Sequence, residues 1–104
     1  MINCGGHCYF PGEVEHALGM PEGVEQYLIA GVPDPRGVLQ DIPWAFVVPG
    51  RPDDWSPKSF LSLARERLPA HMVPRQVVAI PALPLTPSGK PDRRETVKLY
   101  GSNP

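Results

Sequence analysis

Leu83-Pro84-Leu85-Thr86-Pro87-Ser88-Gly89-Lys90-Pro91-Asp92-Arg93-Arg94 stands between a β-branched segment and a capped helix start. Pro84, Pro87 and Pro91 fix φ along it and remove backbone donors. Gly89 admits a backbone angle that other residues avoid. The stretch therefore reads as a stiff loop carrying one mobile positive charge, Lys90. A lysine placed this way suits a phosphate or a developing negative charge, where it acts as a compact point charge. Read by itself, a Ser-Gly-Lys triplet is also compatible with a solvated turn lysine.

Downstream, Asp92 and Glu95 have the spacing of a capping box, which predicts a third helix from Asp92 to about Tyr100, closed by Gly101. Upstream, Gln76-Val77-Val78-Ala79-Ile80 is β-branched and bounded by Pro74 and Pro81, the pattern of a strand. Further back, Ser56 is a cap, Pro57 a first helical residue, and Trp55 can staple onto Phe60. Phe60, Leu61, Ala64 and Leu68 form the buried stripe of this helix; Arg65, Glu66 and Arg67 fall toward water. Trp44-Ala45-Phe46-Val47-Val48 and Glu25-Gln26-Tyr27-Leu28-Ile29-Ala30 read as strands, with Trp44 and Phe46 in the core. Pro43 predicts that the former begins at a sheet edge. Pro11 opens a first helix with Glu13 and Glu15 near its positive end, Val14, Ala17 and Leu18 on one face, and Gly19 as its stop. The predicted fold class is α+β: a small sheet of about three strands packed by three helices. No repeat or dividing linker is visible, so residues 1–104 read as a single domain.

The totals agree. A chain of 104 residues supports one modest core. Its 41% apolar and 20% charged content is that of a globular protein. The 15 prolines and 10 glycines punctuate periodic segments rather than form a tract, so they read as rigid turns. A net charge of −1 and a pI near 6.3 lack the clustered basic excess of a nucleic-acid surface. No apolar run is long enough to span a membrane, and no secretory signal is visible. Two cysteines in such a chain point to a reducing, cytoplasmic setting rather than a disulfide scaffold.

Leu85-Thr86-Pro87-Ser88-Gly89-Lys90, with Arg93 and Arg94 behind it, resembles the C-terminal signature of the acyl-adenylate-forming superfamily. That superfamily includes acyl-CoA synthetases, nonribosomal adenylation domains and luciferases. Met1-Ile2-Asn3-Cys4-Gly5-Gly6-His7-Cys8-Tyr9-Phe10-Pro11-Gly12-Glu13-Val14-Glu15 is similar to the segment after that family's interdomain hinge. Gly31-Val32-Pro33-Asp34 and Leu68-Pro69-Ala70-His71-Met72-Val73-Pro74-Arg75 match between them, in the family's order. The resemblance implies the mobile C-terminal domain of an ATP-dependent acid–thiol ligase, lacking the large N-terminal domain and hinge. A free-standing interaction module, docking on a carrier protein or a separate large subunit, is the alternative.

By the same resemblance, Lys90 contacts the substrate carboxylate and the α-phosphate of ATP, whose Mg2+ is held by the large domain. Gly5 and Gly6 line the path of a pantetheine thiol, from coenzyme A or a carrier's phosphopantetheine arm. Asn3 departs from the lysine many relatives have there. Read from the residues alone, Gly5-Gly6 is a flexible turn. Arg93, Arg94 and Lys98 read as a solvated basic helix face, with a phosphopantetheine or carrier contact as the sharper possibility. Arg75 braces its loop or pairs with a carboxylate. His71 reads as a helix-end residue. Cys4, His7, Cys8 and His16 invite a zinc reading, but no second Cys pair completes four ligands, so no metal site is expected.

Overall fold

Six successive residues of the strand Asp41–Pro49, Pro43 to Val48, are buried. A strand alternates its side chains between two faces, so burial at every position means both faces are covered. The computed structural model shows how. It describes the chain except residues 1, 5, 6, 22, 34–40, 52, 54 and 102–104. Among the described residues the order is β1 (Ile2–Cys4), β2 (His7–Tyr9), α1 (Pro11–Leu18), β3 (Val24–Pro33), β4 (Asp41–Pro49), α2 (Pro57–Arg67), a 3₁₀ turn (Ala70–Met72), β5 (Gln76–Ala79) and α3 (Arg93–Tyr100).

Three strands form the main sheet in the order β3-β4-β5. β3 and β4 are antiparallel, pairing Leu28 with Phe46 and Ile29 with Ala45. β4 and β5 are parallel, pairing Phe46 with Val78. Parallel neighbours need a crossover, and α2 supplies it. The odd-numbered residues Ile29, Ala45 and Val47 join Val14 and Leu18 of α1 and Phe60 and Ala64 of α2 in one buried cluster. The even-numbered Leu28, Ala30, Trp44, Phe46 and Val48 join Ile80 and Leu83 in a second, against which Val97 and Tyr100 of α3 pack. Helices thus cover both faces, α1 and α2 on one and α3 on the other. Three helices and a three-stranded mixed sheet make the α+β class read from the sequence.

Several local expectations need correcting. β4 is the central strand, although Pro43 argued for an edge. The Pro43 carbonyl accepts from the Arg75 N–H at 2.8 Å, so its ring nitrogen faces the same side. The first β4–β5 pair is Trp44 with Gln76, one residue on. The missing donor therefore lies just beyond the ladder and leaves no rung unmade. The short antiparallel hairpin β1–β2 was also unforeseen. Its signal was Gly5-Gly6 between two triplets, a dipeptide that suits a two-residue hairpin loop. Ala17 is exposed, and α1 buries Val14 and Leu18 instead. His71 belongs to the separate 3₁₀ turn after Pro69, not to the end of α2.

The helix starts follow the sequence. Ser56 Oγ accepts from the Ser59 N–H at 3.4 Å. Asp92 Oδ1 accepts from the Glu95 N–H at 3.0 Å. The reciprocal arm of that capping box is replaced, because the Asp92 N–H goes to the Pro84 carbonyl at 2.8 Å. At its other end, α1 leaves carbonyls that other elements collect. The Tyr27 hydroxyl donates to Gly19 O at 2.5 Å, with Glu15 O as a second, longer acceptor of the same proton at 3.0 Å. Arg67, expected to face water, donates to Leu18 O at 2.6 Å. No helix among the described residues is long and apolar enough to cross a membrane.

Burial, and secondarily the Glu15 carboxylate, pushes the Tyr27 phenol up from 10.0 to about 12. The unfolded chain releases this proton first. The contribution of Tyr27 to stability is therefore complete below the unfolded value and declines as pH rises toward about 12. Tyr27→Phe is expected to cost about 1 kcal/mol at neutral pH through the lost hydroxyl hydrogen bond. It should also flatten the alkaline loss of stability, read as urea midpoints across that range.

Candidate functional site

The segment around Lys90 is a small hairpin standing on the second buried cluster. Leu83 anchors its root in that cluster. The Asp92 N–H closes the base on Pro84 O at 2.8 Å, and Leu85 pairs with Pro91 as an antiparallel bridge. Above them, the Thr86 N–H donates to Lys90 O at 2.7 Å and the Gly89 N–H to Thr86 O at 2.9 Å. Pro87 and Ser88 are the central residues of that turn, and Gly89 follows with φ 86°. This is a three-residue hairpin loop closed by a left-handed glycine. Thr86 Oγ1 accepts from the Lys90 N–H at 3.2 Å and lies 2.9 Å from Ser88 Oγ. Every turn of the loop is thus tied to Thr86, as the prolines and glycine foretold.

The Lys90 side chain is the free part. It is exposed, and no acceptor among the described residues holds its ammonium. The base is fixed and the tip is available, the arrangement read from the sequence. Gly5 and Gly6 lie outside the described residues. The strands beside them pair Cys4 with His7 and Asn3 with Cys8, so the two cysteines are not opposite each other in the hairpin. Among the described residues no group of three or more His, Cys, Asp or Glu could hold a metal ion.

Three residues beyond Lys90, the structure departs from the sequence reading. Arg93 does not belong to a solvated basic face. Its Nε donates to Ile29 O at 3.1 Å, and one terminal nitrogen meets Glu15 Oε1 at 2.6 Å. The other Glu15 oxygen accepts from the Ile29 N–H at 2.9 Å. Both polar groups of one edge-strand residue are therefore held by an arginine from α3 and a glutamate from α1. Only the pairing of a charged residue in the first helix with one in the third could have signalled this, and no local pattern carries it. Arg94 and Lys98 remain exposed, as expected. Arg75 is exposed and has no carboxylate partner among the described residues.

A small α+β fold with a lysine-tipped hairpin leading into its last helix defines a class of protein, and solved structures share the fold. A fatty acyl CoA synthetase of Mycobacterium tuberculosis superposes with a TM-score of 0.84 at 27% identity, over 96% of this chain and 19% of that one. The amide bond synthetase McbA from Marinactinospora thermotolerans gives 0.82 at 29%, over 95% and 20%.

The chain belongs to the AMP-binding enzyme C-terminal domain family, whose model matches residues 13–90, and so to the C-terminal domains of the adenylate-forming superfamily. A feruloyl-CoA synthase of Amycolatopsis is 37% identical over 101 residues, 97% of this chain and 20% of that protein. Surfactin synthase subunit 1 of Bacillus subtilis is 32% identical over 88 residues, 85% of this chain and 2% of that protein. The chain thus spans about a fifth of the length of the feruloyl-CoA synthases it matches.

A Cβ placed on Gly89 meets nothing within 4 Å, so only backbone strain opposes a substitution there. Gly89→Ala is expected to cost about 1–2 kcal/mol, the penalty of a left-handed L-residue. Gly89→Asn should cost less. Denaturant midpoints of the two variants test this order.

Proposed function

We propose that this domain is the mobile part of an ATP-dependent acid–thiol ligase, and that Lys90 serves its first half-reaction. In that step a carboxylate oxygen attacks the α-phosphorus of ATP, the bond to the pyrophosphate leaving group breaks, and an acyl-adenylate forms. In the second, a thiol attacks the acyl carbon, AMP leaves, and the thiol proton passes to solvent or a base. The first step brings two anions together. A cation between them lowers their repulsion and stabilises the charge that builds up, a contribution of about 3–4 kcal/mol for one well-placed contact. The observation that carries this reading is the unclaimed ammonium of Lys90 on a hairpin closed by backbone bonds to Thr86 and Pro84.

The partner in this reading is a large nucleotide-binding domain, which supplies the acid pocket and holds ATP with its Mg2+. The small domain rotates about a hinge between the half-reactions, presenting Lys90 in one pose and the Gly5-Gly6 segment in the other. The acceptor is coenzyme A. Supporting this choice, relatives at 36–37% identity carry CoA in their names: feruloyl-CoA synthase and a propanoyl:CoA ligase of Rhodococcus jostii.

Residues 1–104 by themselves are expected to release no pyrophosphate from ATP and a carboxylate. Adding the large domain should restore release, and appreciable release without it would overturn the reading. In the joined enzyme, Lys90→Ala should lower carboxylate-dependent ATP–pyrophosphate exchange by about 10²–10³-fold. It should leave thioester formation from preformed adenylate within a few-fold. Equal losses in the two half-reactions would remove Lys90 from its assigned step.

A further inference from the structure

We propose that Arg93 and Glu15 are positioning residues for Lys90: by clasping the Ile29 peptide groups they fix the root of the lysine hairpin against the sheet. The inference rests on the reading of Lys90 given above, and it names residues that do not touch the reacting atoms themselves.

The argument starts from connectivity. Lys90, Pro91 and Asp92 run directly into α3, whose first residue is Arg93. The hairpin has few other attachments. Leu83 is buried at its root, but Leu85 is 60% exposed, and residues 87–91 are all exposed. The apolar anchors of α3, Val97 and Tyr100, lie in its second turn and at its end. Thr96 is fully buried, yet its hydroxyl bonds back to Asp92 O at 2.6 Å, within the same helix start. The first turn of α3 is therefore tied laterally to the sheet by Arg93. With that tie cut, the helix can pivot about Val97 and Tyr100, and the Lys90 tip lies on the far side of the pivot. A displacement of about 1 Å at a reacting centre can cost roughly 10²-fold in rate.

The clasp is built for orientation. Arg93 uses two different nitrogens at once, Nε on the Ile29 carbonyl and a terminal nitrogen on Glu15. Glu15 likewise divides its oxygens between Arg93 and the Ile29 N–H. Four groups on three elements close a ring, which fixes the guanidinium plane and with it the start of α3. An ion pair alone would not do so at this exposure, 42% for Arg93 and 24% for Glu15.

The test is a double-mutant cycle in the complete ligase, using the carboxylic acid that gives the fastest ATP–pyrophosphate exchange in a panel that includes ferulate. Arg93→Ala should lower kcat for exchange by about 10- to 100-fold, with the KM for ATP within about twofold. In a Lys90→Ala background the same change should cost less than about twofold more, because the side chain it positions is gone. Hydrogen exchange of the segment 84–92 should rise about tenfold or more in Arg93→Ala, while β4 stays protected. Arg93→Lys and Glu15→Gln should show the same pattern at smaller size, and they carry the test if Arg93→Ala does not fold. Equal losses from Arg93→Ala in both backgrounds would make its role merely structural and overturn the inference. So would normal exchange kinetics in Arg93→Ala alongside a crippled Lys90→Ala. An undiminished Lys90→Ala enzyme would instead overturn the reading of Lys90, and this inference with it.

Discussion

The Ile29 peptide groups, held by Glu15 on one side and Arg93 on the other, are the constraint on which the arrangement of this domain depends. β3 is an edge strand, and its outward N–H and C=O would otherwise lie open to solvent or to another strand. Two side chains take the place of that missing strand at one rung. Each hydrogen bond to a charged group is worth about 1.5–3 kcal/mol before exposure is discounted. The larger consequence is geometric. α1 lies on one face of the sheet and α3 on the other, so no direct packing between them is needed to set their relation. The clasp reaches around the edge and does it.

A similar economy appears at the other end of α1. The carbonyls of Leu18 and Gly19 have no intrahelical partners, whereas Glu15 O already accepts from the Gly19 N–H at 2.9 Å, and short helices gain little from propensity alone. Tyr27 from β3 and Arg67 from α2 supply the donors. Tyr27 also meets Phe60 edge-on, with centroids 5.5 Å apart at 68°. The two helices on this face are thus joined through the strand beneath them as well as through their shared apolar cluster. Glu15 takes part in both arrangements, with its carboxylate in the clasp and its carbonyl under Tyr27.

Much of the local chemistry was legible in the sequence, the β1–β2 hairpin being the exception. Ser56 with Pro57, Asp92 as the cap of α3, and the Pro-Gly punctuation around Lys90 each act within a few residues and appear as read, although only one arm of the Asp92–Glu95 box forms. The apolar run 44–48 also became a buried strand, and Gln76–Ala79 a strand beside it that is only half-buried. Most of what failed was long in range. Arg93 and Glu15 are 78 residues apart, and Arg67 and Leu18 are 49 apart. A charged residue on a helix reads as solvated unless its distant partner is known. Pro43 failed for a related reason. Its tolerance in a central strand depends on where β5 begins, which is set by α2 and the turn after it rather than by β4.

The two cations at the hairpin and helix start show why residue type matters at each. Arg93 must reach a carbonyl and a carboxylate together, from fixed directions. A planar guanidinium with several donors does this, and a single ammonium cannot. The role proposed for Lys90 asks for the opposite: a compact charge on a flexible stem that follows a reacting group as charge moves. Placing the stiff cation three residues after the flexible one separates the two tasks. The freedom of Lys90 is useful only because its backbone is not free. The four bonds around Thr86 hold the hairpin together, and the Arg93–Glu15 clasp relates that hairpin to the sheet. A ligand that met Lys90 would therefore meet a mobile side chain delivered from a rigid body, so that rotation of the whole domain, rather than rearrangement within it, would bring the charge in or take it away.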